Sequence, residues 1–126
     1  MQYLLATASV HVTAAACDAL TGRLRGDDVV TVLGVVEETA GGATPRDLDD
    51  ALNVARARLA GAEVRTERRE DPPDRAIPAV AREVGADRIV MGLNDGRPDS
   101  AGLGGTTGSV LAGTDRPVLV VPVDDT

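Results

Sequence analysis

The sequence has no lysine, no tryptophan and no phenylalanine, and only one cysteine and one histidine. Without lysine there is no P-loop lysine, no Schiff-base chemistry and no kinase-type phosphate contact, since each needs an ammonium on a flexible stem. One histidine and one cysteine cannot furnish a structural zinc site, which draws its four ligands largely from nitrogen and sulfur. Tyr3 is the only aromatic residue, so a stacking platform for single-stranded nucleic acid is excluded. The formal net charge of -7 also argues against duplex nucleic acid, where affinity comes from neutralising phosphates. No apolar run approaches the ~18 residues of a membrane span, and the N-terminus lacks the basic region and cleavage site of a signal peptide. The expectation is a cytoplasmic protein with neither nucleic acid nor membrane as a partner.

At 126 residues and 43% apolar content, the chain suits one domain over residues 1–126, with a core of Val, Leu, Ala and Ile. Cys17 lies among alanines in a helical stretch and reads as a small buried hydrophobe rather than a redox thiol. The charges are biased: all 13 basic residues are Arg, and Asp outnumbers Glu 14 to 6. Guanidinium is more weakly hydrated than ammonium, and with the excess of Asp this reads as halophilic adaptation to molar cytoplasmic salt. A GC-rich genome would mimic the arginine bias alone. At about 1 M salt the Debye length falls to ~3 Å, so an acidic surface would barely repel an anionic ligand from a distance.

Apolar runs alternate with amphipathic stretches along the chain, the pattern of a parallel sheet flanked by helices. A first strand is expected at residues 3–7 (YLLAT). From Ser9, a candidate N-cap, a helix places Thr13, Ala16, Cys17, Leu20 and Leu24 on one face and ends near Gly26. The second strand, 29–36 (VVTVLGVV), is apolar on both faces, as a central parallel strand should be. Thr44 as N-cap, Pro45 at the first helical position and Asp47 as in a capping box begin a second helix, whose stripe is Leu48, Leu52, Ala55 and Leu59. Residues 63–69 (EVRTERR) are polar enough for an edge strand with a solvated, charged face. A third helix follows Asp71-Pro72-Pro73 and carries Ile77, Val80, Ala81 and Val84 at helical spacing, with Pro78 predicting a kink or a late start. A strand at 88–93 (RIVMGL), a loop at 94–104, a short helix near 106–112 and a strand at 118–123 (VLVVPV) complete the chain. Five strands with four helical crossovers give an α/β three-layer sandwich around a parallel sheet.

In an open parallel sheet, ligands bind outside the carboxyl ends of the strands where strand order reverses. For a chain of this size that point lies between the first strand and a neighbour formed later, so the segments after strands 1 and 4 are the places to inspect. The first, Thr7-Ala8-Ser9, is chemically sparse. The second holds seven glycines from Gly92 to Gly113, interleaved with Ser100, Thr106, Thr107 and Ser109. Glycines let a backbone approach phosphate closely, and a helix N-terminus after them presents free N–H groups and a positive dipole end. In a chain without lysine this nest is the available anion-binding device; a flexible surface loop is the other reading of the same glycines.

From Met91 the chain runs Gly92, two residues, Asp95, nine residues, then Gly105-Thr106, and after a short helix it closes with Arg116-Pro117-Val118-Leu119-Val120-Val121. Here the sequence resembles the universal stress protein family (UspA-like), whose nucleotide-binding members carry a G-x2-G-x9-G-[S/T] signature before a final apolar strand opened by Pro-Val. The block EDPPDRAIPAVAREVGADRIVMG is the most specific match, and the likeness covers nearly the whole chain. The resemblance implies a universal stress protein-like (adenine nucleotide alpha hydrolase-like) fold that holds ATP or AMP at the carboxyl ends of strands 1 and 4. Carried over by position, it puts Thr7 by the phosphate or ribose and the backbone of Val35 against the adenine. Met91 and Gly92 would flank the base and sugar, and Gly105 with Thr106 would meet the phosphates. It also implies a homodimer through strand 5, Val118 to Val123.

Two positions depart from that pattern. The acidic residue that nucleotide-binding members show at the end of strand 1 is Ala8 here. The second signature glycine is Asp95, whose place Gly96 would take after a one-residue slip. A carboxylate there would repel polyphosphate at short range unless a divalent metal lies between them. Asp95 and Asp99 could hold Mg²⁺ alongside ATP; two exposed loop aspartates are the plainer reading. Arg97 could pair with a phosphate or with Asp99.

No catalytic constellation is evident. His11 has no partner in view and reads as an exposed helix residue, and its neighbour Ser9 does not make a nucleophile and base. A response-regulator receiver would need an acidic pair after strand 1 and a lysine after strand 5, and both are missing. A dinucleotide-binding Rossmann domain would need G-x-G-x-x-G after strand 1, and an adenylating α/β enzyme a Ser/Gly-rich loop there; neither is present. Two readings follow: a non-enzymatic, nucleotide-binding regulatory protein of the stress response, with at most slow, incidental ATP hydrolysis, or a nucleotide-free dimeric interaction module. The nearly uncharged VLVVPV strand would be hazardous as an open edge, which is an independent motive for dimerisation.

Overall fold

The computed structural model describes residues 1–7, 10–35, 45–92 and 105–121. Strands β1 (Gln2–Thr7), β2 (Val29–Val35), β3 (Glu63–Arg69), β4 (Arg88–Gly92) and β5 (Val118–Val121) alternate with helices α1 (Val10–Thr21), α2 (Pro45–Arg58), α3 (Pro73–Val84) and α4 (Gly105–Gly113). All strand pairs are parallel, in the order β3-β2-β1-β4-β5. This is the expected α/β sandwich, with the polar strand at one edge and the last apolar strand at the other.

Successive side chains of a strand point to opposite faces, so the sheet carries two cores. On one face Tyr3, Leu5, Val30, Val32, Val90 and Val121 meet Ala16, Cys17 and Leu20 of α1 and Leu52 and Ala55 of α2, with Leu59 just beyond it. On the other, Leu4, Ala6, Leu33, Val35, Ile89 and Met91 meet Ala76, Ile77, Val80 and Ala81 of α3 and Val110 of α4. Gly34 lets α2 settle on the first face: a Cβ there would lie 3.4 Å from both terminal methyls of Leu48. Cys17 is fully buried, and burial pushes its thiol up to about 11, the behaviour of a packing residue rather than a nucleophile.

The elements differ from expectation in two informative places. Helix α1 stops at Thr21, whose hydroxyl donates to the Cys17 carbonyl at 2.7 Å; Leu24, expected within the helix, packs against the core from beyond its end. Helix α3 begins at Pro73 and continues through Pro78 without the late start that proline predicted. Pro78 is buried, and its Cγ lies 3.7 Å from where a Cβ on Gly113 would be. The ring is thus buried on the side of α3 near the end of α4. The candidate caps Ser9 and Thr44, and strand ends Val36, Leu93, Pro122 and Val123, lie outside the described residues.

The amino end of the sheet is strapped by three side chains that bind backbone. The Asp87 carboxylate accepts from the Gln2 N–H at 2.8 Å, and the Asp87 N–H returns a bond to the Gln2 carbonyl at 2.7 Å. Arg116 Nε donates to the Ala86 carbonyl at 2.6 Å, tying β5 to the turn before β4. That turn closes on Gly85, a helix cap at φ 66° that favours glycine. The buried Asp28 accepts from the Met1 ammonium at 2.9 Å and from the Arg25 N–H at 2.8 Å.

These bonds give a pH prediction. The Met1 ammonium, then the Arg25 N–H, hold the Asp28 carboxyl below the usual 3.8, so its contribution is present above that pH and is lost as pH falls through the depressed value. Asp28 in turn raises the Met1 ammonium above the usual 8.0; that contribution is present below pH 8.0 and is lost as pH rises through the raised value. The gap in Tm between wild type and Asp28→Asn should be widest between these limits and narrow beyond each. A gap that does not vary with pH would show that the ion pair carries no stability.

Candidate functional site

With the order β3-β2-β1-β4-β5, the chain winds one way from β1 to β3 and the other way from β1 through β4 to β5. Strand order therefore reverses between β1 and β4, which pair directly through Tyr3 with Arg88 and Leu5 with Val90. Helices after the two strands leave on opposite faces, the arrangement that in open parallel sheets leaves room for a ligand at the carboxyl edge.

The register brings the strand ends to one level. Thr7, the last residue of β1, is opposite Gly34 of β2, and Val35 follows it. Gly92, the last residue of β4, is two beyond Val90, as Thr7 is two beyond Leu5. Thr7, Val35 and Met91 are 5%, 6% and 5% exposed, so none of the three projects a free side chain at this end. Val35 and Met91 direct their side chains into the α3 and α4 core.

Strands β4 and β5 are parallel, so the helix joining them must run back against the strand direction. Its first residue, Gly105, therefore belongs to the carboxyl end of the sheet. The first turn of a helix has four N–H groups without intrahelical partners and roughly half a positive charge. Val110 is fully buried against the α3 side of the sheet and anchors α4 there. Thr106 is the second residue of the helix, while Gly96, and with it Ala8, Ser9, Asp95, Arg97 and Asp99, lies outside the described residues. His11 falls in the first turn of α1. Thus five sequence-predicted positions on four elements, Thr7, Val35, Met91, Gly92 and Gly105, share one end of the sheet.

One residue at this end was not picked out from sequence. Arg69 pairs in register with Val35, and its guanidinium reaches Glu83 at 2.8 Å and Glu67 at 2.9 Å. Glu83 and then Glu67 raise its already high pKa. Satisfied by two carboxylates, it fastens β3 to α3. Among the described residues no group of His, Cys, Asp or Glu could hold a metal ion, and none of the helices is long and apolar enough to cross a membrane. A separate groove of about 410 Å³ lies between α2 and β3. Its polar groups largely pair with one another, Arg68 with Asp49 and Arg56 with Asn53 and Thr66.

The fold and the position of the crevice define a doubly wound α/β protein of the kind that takes ligands at its carboxyl edge. Within that class, the chain belongs to the universal stress protein family, which it matches over residues 7–122. Among solved structures, hypothetical protein MJ0577 superposes with a TM-score of 0.83 at 19% identity, over 99% of this chain and 97% of that one. A universal stress protein family protein from Arabidopsis thaliana with AMP bound gives 0.71 at 16% identity, covering 99% and 93%. The universal stress protein from Archaeoglobus fulgidus in complex with dAMP gives 0.58 at 23%, covering 96% and 97%. No curated protein sequence matches the chain.

Proposed function

We propose that this chain is a regulatory member of the universal stress protein family that binds an adenine nucleotide, ATP or AMP, at the carboxyl ends of β1 and β4. The observation that carries the reading is the convergence of Thr7, Val35, Met91, Gly92 and the N-terminus of α4 on the edge where strand order reverses. The likeness to structures holding AMP and dAMP supports it. The residues fit such a ligand: Thr7, Val35, Met91 and Gly92 are uncharged, as suits a flat base, and the helix N-terminus would supply donors to an anion without a lysine. In this role the Val35 backbone would meet the adenine, Thr7 the ribose or phosphate, Met91 and Gly92 the base and sugar, and Gly96, Gly105 and Thr106 the phosphates. Mg²⁺, if carried with ATP, would neutralise phosphate charge near Asp95. The protein acts by occupancy rather than by turnover, with ATP hydrolysis at most slow and incidental, in a cytoplasm rich in salt.

Calorimetric titration with ATP and AMP, with and without Mg²⁺, in about 2 M KCl tests this, since screening at that salt removes long-range repulsion. Heat saturating at submillimolar nucleotide is the expected result; no heat at millimolar concentration would sink it.

A second reading rests on β5, where Val118, Leu119 and Val120 are all half-buried at a sheet edge. In it the chain is a nucleotide-free homodimeric interaction module, paired through residues 118–123. A charge in the middle of such a strand would oppose pairing. Sedimentation of Val120→Arg should show a lighter particle than wild type, and an unchanged mass would remove β5 as an interface.

A further inference from the structure

The opposite edge of the sheet carries a different pattern. Edge strands are usually protected by being short, by proline, by a bulge or by charge. Strand β3 has seven residues, as many as any strand in the sheet, and contains neither proline nor glycine. Its register with β2 runs without interruption from Glu63 opposite Val29 to Arg69 opposite Val35, so no bulge bends it away. Among the described residues the guard is charge, and the charges alternate in sign: Glu63, Arg65, Glu67 and Arg69 occupy one face of the strand.

We infer that β3 is an interface for a second copy of this chain, paired antiparallel about a two-fold axis at Thr66, so that two sheets join into one of ten strands. An isologous edge-to-edge pair must be antiparallel, with directly opposite residues on the same face. With Thr66 opposite Thr66 of the second copy, Glu63 faces Arg69 and Arg65 faces Glu67, each pairing occurring twice. All four same-face contacts then join opposite charges. A slip that centres the pair on Arg65 puts Glu63 opposite Glu67 and Arg65 opposite itself. A slip that centres it on Glu67 puts Arg65 opposite Arg69 and Glu67 opposite itself. One register is therefore attractive throughout, and both neighbouring registers are repulsive.

Within one chain the same residues pair along the strand, Arg65 with Glu63 at 2.6 Å and Arg69 with Glu67 at 2.9 Å. Glu63, Arg65 and Glu67 are exposed or partly exposed, so their pairing along the strand can be exchanged across the axis at little cost, while Arg69 keeps its bridge to Glu83 of α3 and offers the partner's Glu63 the donor that Glu67 gives up. On the other face Thr66 meets its own copy, a hydroxyl pair that suits a cross-strand position. Arg68 stays with Asp49 of α2 and Arg56 with Asn53, so the groove behind the strand keeps its internal partners.

The test is charge exchange in the full-length chain carrying Val120→Arg, which removes any contribution of the apolar edge. The measurements are made in the lowest salt at which circular dichroism shows each variant folded. Sedimentation equilibrium of this background should show a monomer–dimer equilibrium. Adding Arg65→Glu sets Glu against Glu twice, and adding Glu67→Arg instead sets Arg against Arg twice; each should weaken association on the order of tenfold or more. Mixing the two variants restores Glu opposite Arg at both places, so the mixture should dimerise as the background does, as should the double variant Arg65→Glu/Glu67→Arg. A background that is monomeric at all concentrations, single variants that associate unchanged, or a mixture no tighter than its components would each overturn the interface. None of these outcomes depends on whether the chain binds nucleotide.

Discussion

Replacing Leu33 with alanine is expected to remove about 3 to 5 kcal/mol of unfolding free energy. Leu33 is fully buried on β2 and belongs to the same cluster as Val35, Met91 and Val110. Because the cluster contains no aromatic ring, its volume is filled by many small aliphatic chains, and a neighbouring ring cannot swing in to occupy the space a leucine leaves. The loss should therefore lie near the upper part of the usual range. A domain of this size has about 5 to 15 kcal/mol in total, so the change would take a large fraction of it. The exposed Leu111 on α4 provides the contrast: Leu111→Ala should move stability by less than about 0.5 kcal/mol. Urea unfolding in molar KCl measures both, followed by far-ultraviolet circular dichroism, since the chain lacks tryptophan and Tyr3 is its only tyrosine. A Leu33→Ala loss of no more than that of Leu111→Ala would mean that the cluster beneath the crevice is not tightly packed.

The consequence reaches the site because the same cluster holds both halves of it. Val35 ends β2 there, Met91 lies one residue before the end of β4, and Val110 fixes α4 there, so the strand ends and the helix N-terminus are set relative to one another through aliphatic packing. A ligand held by backbone groups depends on such packing more than one held by long side chains, which can adjust their rotamers.

Much of this architecture was legible because it rests on local pattern. Residues 63–69 read as a polar edge strand since alternating charge cannot be buried on both faces, and β3 has that span and that place. Pro45 marked the start of α2 because proline fits the first position of a helix and breaks most others. The point where strand order reverses, on which the candidate site is placed, was legible for a topological reason: the order reverses once, whatever side chains surround the point. What local pattern could not show were contacts between distant segments. Pro78 is buried inside α3 with its ring near Gly113, which lies far along the chain. Asp28, Asp87 and Arg116 look like surface charges in sequence, yet they bind backbone groups of residues up to 85 positions away. Arg69, level with Val35, would have passed for a ligand group, and only its two carboxylate partners show otherwise.

Asp95→Gly is expected to tighten ATP binding by about tenfold while leaving adenosine nearly unchanged. The argument is one of distance. In molar salt, charges separated by more than ~3 Å are strongly screened in solvent, so the chain's net charge of -7 has little influence on an approaching nucleotide. If Asp95 takes the second signature position beside the phosphates, as the proposed site has it, the repulsion acts at short range, where salt screens it less. Two unit charges about 6 Å apart at an effective dielectric of 20 repel by about 3 kcal/mol, and partial screening would leave about half of that. Adenosine carries no charge and supplies the control. Mg²⁺ separates the two roles open to Asp95. If the carboxylate only repels, the variant's advantage should shrink with Mg²⁺, because the metal neutralises the phosphate. If Asp95 holds the metal, the advantage should reverse sign, since glycine supplies no ligand. Equal gains for ATP and adenosine would place the phosphates away from position 95.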